Sequence, residues 1–416
     1  MDTLAQWLDW LQANHRSAIN LGLDRVQQVA NELSLVSLNA TVVTVAGTNG
    51  KGSFVQLLSS LLTQSGKRVG CYTSPHVMRF NERISIDGQE IEDGLLIEAF
   101  AVIKQAQATI ELSFFEFTTL AALWLFSQKV LDVVVLEVGL GGRLDAVNVL
   151  APDVAVITSI GLDHQAFLGD TLEEIAYEKC GILRDHCVFI SAIEDSNTVI
   201  EQALDSHESY AIHRDFTYHS DGKFWRYSQQ NVCYERLPEN GLSVSSMAAA
   251  LFVANRILPT PLVLPDVQDV CANTHLLGRF QHLPLANEVN LLLDVAHNDQ
   301  AMSLLYRRLL ARPLPKGNKR VAVFACLNDK TVDHGLRLLS SVISLWFVAE
   351  LKDSRATVAQ LLVERLHGNG IFAVSCSKNT AQALARAVSV CVPGDDIIVF
   401  GSFAIVYEVL HKKRLA

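Results

Sequence analysis

Apolar positions in the first half of the chain follow the rhythm of an α/β protein. From residue 41 onward, apolar runs rich in β-branched residues alternate with segments of helical period, which is typical of a mainly parallel sheet with helices on its faces. One run, LDVVVLEV, is apolar at consecutive positions, as in a strand that is covered on both sides. The strands predicted here are 41–46, 68–73, 131–138 and 153–160.

A second α/β rhythm follows a less regular middle region. Residues 191–245 break into shorter aromatic and polar pieces that predict antiparallel strands, residues 245–258 are helical by composition, and we interpret 276–287 as a linker. We place the boundary near residue 283, which gives domains 1–283 and 284–416. The strands predicted for a smaller, doubly wound, Rossmann-like second domain are 291–295, 320–326, 345–350, 371–375 and 396–400.

Charge and composition narrow the class of protein. The chain has 416 residues, and its 34 Lys and Arg against 44 Asp and Glu give a net charge of −10. This balance argues against a nucleic-acid or anionic membrane surface, so any bound anion should be held locally. The eight cysteines form no CxxC pair and have no zinc-site spacing with histidine, which indicates reduced, mostly buried thiols.

The N-terminal segment predicts a helix and not a targeting signal. Asp2 and Asp9 stand where a signal peptide needs a basic start and an unbroken apolar run, so residues 1–15 are interpreted as an amphipathic helix. The most apolar later stretch, 242–258, is interrupted by serines, Asn255 and Arg256. We expect a soluble, cytoplasmic protein with no membrane partner.

The strongest local motif is a glycine-rich loop between a strand and a helix. It contains Gly47, Thr48, Asn49, Gly50, Lys51, Gly52 and Ser53, and the helix after it should stop at Gly66. Such a loop can turn its N–H groups toward one phosphate, with Lys51 as a point charge and the Ser53 hydroxyl close to phosphate or metal. The spacing departs from the usual G-x-x-x-x-G-K-[ST] pattern. A tight turn is the alternative, but a lysine flanked by glycines is poor turn chemistry, so we favour nucleotide binding.

Two side chains at predicted strand ends leave alternatives open. Glu137 ends a buried strand, where it could hold Mg²⁺ or pair with a nearby arginine such as Arg143. His164 follows another apolar strand and could face the same edge of the sheet. By pattern alone, a capping or hydrogen-bonded histidine is favoured over a ligand.

A capping box predicts the helix that carries Lys179. Thr171 and Glu174 have the T-x-x-E form, and the helix that they start should end at Gly181. Lys179 then lies in the last turn, where position alone makes it a cation favoured by the helix dipole. Nearby, the segment 139–144 imitates a dinucleotide fingerprint but has Leu144 where Gly or Ala is needed, which disfavours an oxidoreductase.

Longer motifs, taken in order, resemble one known family. The chain is similar to the folylpolyglutamate synthase and dihydrofolate synthase branch of the Mur ligase superfamily over nearly its entire length, and its flanking sequence looks most like that of bacterial bifunctional members. The resemblance implies an N-terminal P-loop, Mur-ligase-like ATPase domain followed by a glutamate ligase domain. The motifs are AGTNGKGS, YTSPHVMRFNERI, FFEFTTLAALWLF, LEVGLGGRLDAVN, SIGLDH, EKCGI, LLGRFQ and LDVAHN.

The resemblance also implies roles for particular residues. It makes Lys179 a carbamylated, anionic metal ligand, which reverses the dipole interpretation, and it names Lys51, Lys179 and His164 as catalytic. It places His297 in contact from the second domain. The implied ATP-binding set is Thr48, Asn49, Gly50, Lys51, Gly52, Ser53, Ser246, Arg279 and Asp294. The implied metal set is Ser74, Glu137, His164 and Lys179. The implied pterin or folate set is Ile19, Asn20, Leu21, Ser113, Phe114, Phe115, Glu116, Leu144, Asp145 and Ala146.

The sequence departs from the family pattern at several of these positions. Asn20 replaces an aspartate usual in bifunctional members, so a charge near the pterin pocket is missing. Ser246 stands where an asparagine is usual, and Cys180 where many members have alanine. Asp299 replaces the proline of His-Asn-Pro, which keeps the helix start intact.

The implied function is an ATP-dependent ligase of folate biosynthesis and one-carbon metabolism. It would add L-glutamate to dihydropteroate and to tetrahydrofolate through an acyl phosphate, with two Mg²⁺ ions and a monovalent cation such as potassium. We expect a monomer whose partners are small molecules and not nucleic acids. The alternatives are a monofunctional folylpolyglutamate synthase or dihydrofolate synthase, a cell-wall Mur ligase, and a non-catalytic nucleotide-binding module.

Overall fold

The N-terminal part is built on a mainly parallel sheet. The structure, a computed structural model, describes residues 1–14, 21–285 and 288–415. Within them the strands of this sheet are β1 (Thr41–Ala46), β2 (Val69–Tyr72), β3 (Ile84–Ile86), β4 (Gln89–Glu90), β5 (Val133–Glu137), β6 (Val154–Ile157), β7 (Val188–Ser191) and β8 (Ser209–Ala211). Their order is β4-β3-β2-β5-β1-β6-β7-β8, and only the pairs that involve β3 are antiparallel.

Helices cover both faces of this sheet. On β1, Val43 and Val45 pack in one apolar cluster with α3 and α9, whereas Val42 and Ala46 belong to a cluster that includes α5. The central strand is therefore covered on both sides, as its apolar run predicts. The helices are α1 (Leu4–Asn14), α2 (Asp24–Glu32), α3 (Lys51–Gln64), α4 (Asp93–Ala106), α5 (Phe114–Ser127), α6 (Gln165–Leu168), α7 (Leu172–Cys180), α8 (Thr198–Ser206), α9 (Val244–Ile257) and α10 (Leu264–Asn273).

The irregular middle of the chain forms a small antiparallel sheet. Its strands are β9 (Thr217–Ser220), β10 (Phe224–Gln229) and β11 (Val232–Pro238), in the order β11-β10-β9. Trp225 and Tyr227 of the middle strand are buried in the same cluster as α3 and α9. The prediction of antiparallel strands in this region is confirmed, although it did not include the helix α8.

The C-terminal part has its own sheet and core. Its strands are β12 (Gln281–Pro284), β13 (Asn290–Leu293), β14 (Arg320–Phe324), β15 (Leu345–Ala349), β16 (Val374–Ser377) and β17 (Asp396–Phe400). They lie in the order β12-β13-β17-β14-β15-β16, and all the pairs are parallel except β12 with β13. The helices are α11 (Asp299–Ala311), α12 (Asp333–Ser340), α13 (Ala359–Gly368), α14 (Thr380–Ser389) and α15 (Phe403–Leu415).

Most sequence-based elements are present, with two differences at the second domain. The segment interpreted as a linker contains β12, which pairs with β13, so residue 283 falls inside a strand. The strand predicted at 371–375 begins three residues later, at Val374–Ser377, and the buried Ile371 precedes it. No helix among the described residues is long and apolar enough to cross a membrane.

Candidate active site

The glycine-rich loop is shaped by two glycines with positive φ. Gly47 has φ 152° and Gly50 has φ 89°. A Cβ atom on Gly47 would lie 2.0 Å from Thr158 Oγ1, and one on Gly50 would lie 2.2 Å from Ser246 Oγ. Both positions therefore need glycine for backbone conformation and for space. The loop ends at α3, whose N-terminus directs its free N–H groups toward the loop.

Lys51 is a buried cation held by the loop itself. Its Nζ donates hydrogen bonds to the backbone oxygens of Gly47 at 2.8 Å and Thr48 at 3.4 Å. Burial lowers the pKa of the Lys51 ammonium, although the negative charges of Glu137 and Asp163 oppose this shift. Lys51 therefore places a positive charge at the cavity, and no carboxylate of the described residues lies within ion-pair distance of its Nζ.

Two serines of the predicted ATP set lie behind the loop and do not line the cavity. The hydroxyl of Ser53 accepts a hydrogen bond from the backbone N–H of Ser243 at 3.2 Å. The hydroxyl of Ser246 donates to Ser243 Oγ at 3.1 Å and lies against Gly50. In this structure both side chains connect the loop and α3 to the start of α9.

Glu137 reaches the cavity from the end of β5. Its side chain is buried, and its Oε2 accepts a hydrogen bond from the backbone N–H of Ser74 at 3.2 Å. Burial raises the pKa of the Glu137 carboxyl, and the charge of Lys51 partly opposes the rise. The alternative pairing of Glu137 with Arg143 is wrong, because the guanidinium of Arg143 binds Glu178 at 2.8 Å on α7.

Lys179 lies in the last turn of α7, as the capping box predicts. Thr171 and Glu174 form that box, and α7 ends before Gly181. The Lys179 side chain is buried, and no described carboxylate lies within ion-pair distance of its amine. Burial, followed by the charge of Lys51, lowers the pKa of Lys179 to about 7. A substantial fraction of the amine, about half at pH 7, is therefore uncharged.

His164 stands directly before α6 with a left-handed backbone, φ 53°. It makes no side-chain hydrogen bond to the helix, so capping is wrong, but its Nε2 lies 3.5 Å from Lys330 Nζ, as in the hydrogen-bonded alternative. Its imidazole lines the cavity. Burial lowers the pKa of His164 to about 4 against the raising effect of Asp163. A neutral imidazole of this kind is available as a metal ligand.

The chemistry of the predicted metal set fits a hard divalent cation. Ser74, Glu137, His164 and Lys179 all line the same cavity. The described residues contain no group of three or more His, Cys, Asp and Glu side chains that could hold a metal ion, and the predicted set has only two residues of those types, Glu137 and His164. A carbamate on the uncharged Lys179 amine would add the oxygen ligands that Mg²⁺ prefers.

The predicted pterin residues line another part of the cavity. Phe115 packs against Gly139 and lies 5.8 Å from the Tyr72 ring, between centroids. Glu116 is used structurally, since it caps α5 through Ser113 N at 2.6 Å and pairs with Arg25 at 3.0 Å. The lining residues of this part are Leu21, Ser113, Phe114, Phe115, Glu116, Leu144, Asp145 and Ala146, together with Arg83, which sequence reasoning missed.

Asp145 is a buried acid at the edge of this region. Its carboxylate accepts hydrogen bonds from the backbone N–H groups of Leu140 at 2.8 Å and Val147 at 3.1 Å. Burial raises the pKa of Asp145 to about 6, while these hydrogen bonds act in the opposite direction. Its contacts hold the 140–147 turn in place.

The second domain closes the cavity from the other side. His297 of this domain lines it together with Arg279, which lies just before β12. Asp294 lies behind, where it accepts hydrogen bonds from the N–H groups of Phe280 and Ala296. Burial raises the pKa of Asp294, and the charges of Arg308 and Arg279 oppose the rise. The cavity has a volume of about 480 Å³.

An ion pair across the two domains was not predicted. Asp163 Oδ1 binds Lys330 Nζ at 2.7 Å, and Asp163 Oδ2 accepts from Asn298 Nδ2 at 3.0 Å. Burial would raise the pKa of Asp163, but the hydrogen bond and charge of His297 and the charge of Lys330 hold it well below its usual range. The sequence feature that could have indicated this pair is the position of its two residues. Asp163 follows β6 and Lys330 follows β14, each on the C-terminal side of its sheet.

Comparisons with known proteins agree with this architecture. Residues 45–236 match the Mur ligase middle domain, and residues 278–403 match the Mur ligase glutamate ligase domain. The dihydrofolate synthase/folylpolyglutamate synthase of Escherichia coli is 38% identical, over 99% of this chain and 96% of that protein. The protein of the same name from Haemophilus influenzae is 37% identical, over 97% and 96%.

The chain belongs to the dihydrofolate synthase/folylpolyglutamate synthase family. Solved structures from the family share its fold. E. coli FolC in complex with DHPP and ADP has a TM-score of 0.91 and 36% identity, over 100% of this chain and 99% of that one. The Yersinia pestis bifunctional enzyme with Mn, AMPPNP and L-glutamate bound has a TM-score of 0.89 and 35% identity, over 100% and 98%.

The family resemblance and the cavity select nearly the same residues. The other described members of the predicted ATP, metal and pterin sets line the cavity, whereas Ser53, Ser246 and Asp294 lie behind its wall. Ile19 and Asn20 lie outside the described residues, so the missing charge at Asn20 stays a prediction. The ligand contacts of individual residues also stay predictions.

Proposed function

We propose that this chain is a bifunctional ATP-dependent ligase of folate biosynthesis that adds L-glutamate to dihydropteroate and to tetrahydrofolate. The observation that carries the proposal is the meeting of Lys51, Glu137 and Lys179 around one cavity between the two domains. Each of these buried ionisable groups has a pKa shifted by burial, as expected for a site that receives charged ligands. The identity of the substrates is inferred from the family to which the chain belongs.

The reaction needs an activated carboxylate, because a free carboxylate is a poor electrophile. A carboxylate oxygen of the acceptor attacks the γ-phosphorus of ATP, the bond to the bridging oxygen breaks, and ADP leaves. The nitrogen of glutamate then attacks the acyl carbon, loses a proton and releases inorganic phosphate. Lys51 stabilises the charge of the transferred phosphoryl group from the loop.

Two Mg²⁺ ions are assigned to Ser74, Glu137, His164 and a carbamylated Lys179. The lowered pKa of the buried Lys179 amine supports carbamylation, since only a neutral amine captures carbon dioxide and about half of this amine is neutral at pH 7. When bound, the metal ions neutralise the repulsion between a polyphosphate and a carboxylate. A monovalent cation such as potassium belongs to the same proposal.

Contacts between the domains support a closed reaction chamber. Asn49 of the loop donates hydrogen bonds to Asn298 at 3.1 Å and to Gln300 at 2.7 Å, beside the Asp163–Lys330 pair. Closure excludes water, which would otherwise hydrolyse the acyl phosphate. We also propose that the enzyme acts as a monomer in the cytoplasm, which size-exclusion chromatography and cell fractionation test.

The test is ADP release by purified protein with Mg-ATP and glutamate, compared among dihydropteroate, tetrahydrofolate and no acceptor. We expect release with each acceptor and none without one. Release with a single acceptor would assign a monofunctional synthase and direct attention to Asn20. Release with neither acceptor would overturn the folate function, and ligation of a nucleotide-linked peptide would instead indicate a cell-wall Mur ligase.

A further inference from the structure

Arg83 carries a buried guanidinium on the wall of the cavity and belongs to none of the predicted ATP, metal and pterin sets. It ends a 3₁₀ turn, Phe80–Arg83, and its backbone oxygen accepts a hydrogen bond from Thr73 N at 2.8 Å. The residue is 8% exposed and its side chain lines the cavity. The backbone of Arg83 is therefore held beside the end of β2, next to Ser74.

The partners of the guanidinium within the described chain are uncharged. Its Nε donates a hydrogen bond to His76 Nδ1 at 2.8 Å, which requires an unprotonated Nδ1. Its Cζ lies 5.5 Å from the ring centroid of Phe114 and 5.7 Å from that of Phe80. Together with a hydrogen bond to the side chain of Tyr72, these contacts orient the planar group at the wall of the cavity.

No carboxylate of the described residues pairs with Arg83. The neighbouring acid, Glu82, accepts hydrogen bonds from the backbone N–H groups of Val77, Met78 and Arg79, at 2.7 to 2.8 Å. Arg79 in the same turn is exposed and pairs with Glu90 and Asp93. Glu82 and Glu137 act on Arg83 only through longer-range charge, so the buried cation has no direct counter-ion among the described residues and is placed to be neutralised by an anion from a ligand.

The location of Arg83 selects among the anions of the proposed reaction. The phosphates of ATP are assigned to the loop at Lys51, whereas Arg83 lies against Phe114, on the part of the cavity assigned to the pterin acceptor. The acceptor carboxylate is the anion that the pterin substrate itself brings to that part, whereas we assign L-glutamate to the glutamate ligase domain. A guanidinium matches a carboxylate with two parallel hydrogen bonds.

We infer that Arg83 binds the carboxylate of the pterin acceptor and makes the site selective for an acidic acceptor. The inference rests on the proposed function, and it deepens it by naming the group that distinguishes a carboxylate substrate from a neutral pterin. Charge-assisted hydrogen bonds of this kind correspond to roughly a 10- to 100-fold preference in affinity.

The test compares two ligands and three proteins by calorimetry, without turnover. The ligands are dihydropteroate and its carboxamide, in which the carboxylate is replaced by a neutral amide. Wild-type protein should prefer the carboxylate by roughly 10- to 100-fold, and Arg83→Gln should bind both ligands with nearly equal affinity. Arg79→Gln removes the same charge from the same turn outside the cavity, and it should keep the wild-type preference.

The possible results separate the inference from the proposed function. An Arg83→Gln protein that keeps the wild-type preference, or that weakens both ligands equally, would overturn the inference alone. Wild-type protein that binds neither ligand would overturn the proposed function and the inference with it. ADP affinity and the thermal midpoint of unfolding show whether each variant is folded. If Arg83→Gln does not fold, Arg83→Lys takes its place. It keeps the positive charge but not the two parallel hydrogen bonds, so it should retain only part of the preference.

Discussion

Charged side chains meet the cavity from two sides, and their surroundings differ. On the side of the first sheet, Lys51 and Glu137 are buried and hydrogen-bonded to backbone groups, and the buried amine of Lys179 interacts with the described charged groups only at long range. On the side of the domain interface, Asp163 and Lys330 form a direct ion pair at 2.7 Å. The first group is arranged for charges that arrive with ligands, and the second for charges that the chain itself supplies.

The difference separates a contribution to catalysis from a contribution to assembly. Removing a charge from the ligand side should change turnover much more than folding. Removing one from the interface should leave its buried partner unneutralised, so the free energy of unfolding should fall. Each substitution below tests one half of this division.

Lys51→Ala should have the largest effect. The substitution removes the cation that faces the transferred phosphoryl group, so turnover should fall by at least about 10²- to 10³-fold. The free energy of unfolding should stay the same or rise, since a buried charge is lost. Steady-state ADP release and urea denaturation measure the two quantities. The control is Lys67→Ala, at a partly exposed lysine 3.6 Å from Asp132, and it should keep full turnover. Wild-type turnover in Lys51→Ala would contradict the assignment.

Lys330→Met should destabilise the protein. Asp163 would keep Asn298 Nδ2 at 3.0 Å and His297 Nε2 at 3.4 Å but lose its cation, at a cost of roughly 3 kcal/mol in the free energy of unfolding. In a double-mutant cycle, the variant with both Asp163→Asn and Lys330→Met should lose less free energy of unfolding than the two single variants lose in sum. Urea denaturation measures all four proteins.

The control for the interface pair is Lys352→Met, an exposed lysine of the same domain. It should change the free energy of unfolding by no more than about 0.5 kcal/mol. Strict additivity of Asp163→Asn and Lys330→Met would show that the two side chains do not stabilise each other.

The sequence predicts the ligand side better than the interface, for a physical reason. The strand β1, the glycine loop and the capping box at Thr171 each depend on neighbours within a few residues, so local patterns indicate them. Asp163 and Lys330 are 167 residues apart, and only the packing of two domains brings them together. No local pattern contains that information.

The same limit explains the wrong pairing of Glu137. Arg143 is close to it along the chain, but the backbone N–H of Arg143 donates to Glu178 O at 2.7 Å and the guanidinium binds the Glu178 carboxylate. Helix α7 therefore supplies the partner from a distant part of the sequence. The burial of Arg83 was missed in the same way, since a polar turn such as FNER ordinarily predicts an exposed loop.

Asp395→Asn should have the smallest effect and extends the comparison to an acid far from ligands. Its buried carboxylate accepts hydrogen bonds from Lys319 N at 2.9 Å, Val392 N at 3.0 Å and Asn318 Nδ2 at 2.9 Å, and it pairs with Lys319 Nζ at 3.0 Å. Burial would raise the pKa of Asp395, but these contacts lower it to about 2. The substitution should therefore cost about 2 kcal/mol at pH 7.

The sign of this shift sets the pH at which the cost of Asp395→Asn disappears. Because the folded-state pKa lies below the unfolded value of about 3.9, the native protein binds fewer protons, and the stabilisation is complete above pH 4. It is lost as the pH falls toward 2, so the difference between wild type and Asp395→Asn should shrink across that window in urea titrations. Asp185→Asn, at an exposed acid, should show no such window. A difference that stays constant from pH 7 to pH 2.5 would assign the effect of Asp395 to packing and not to its charge.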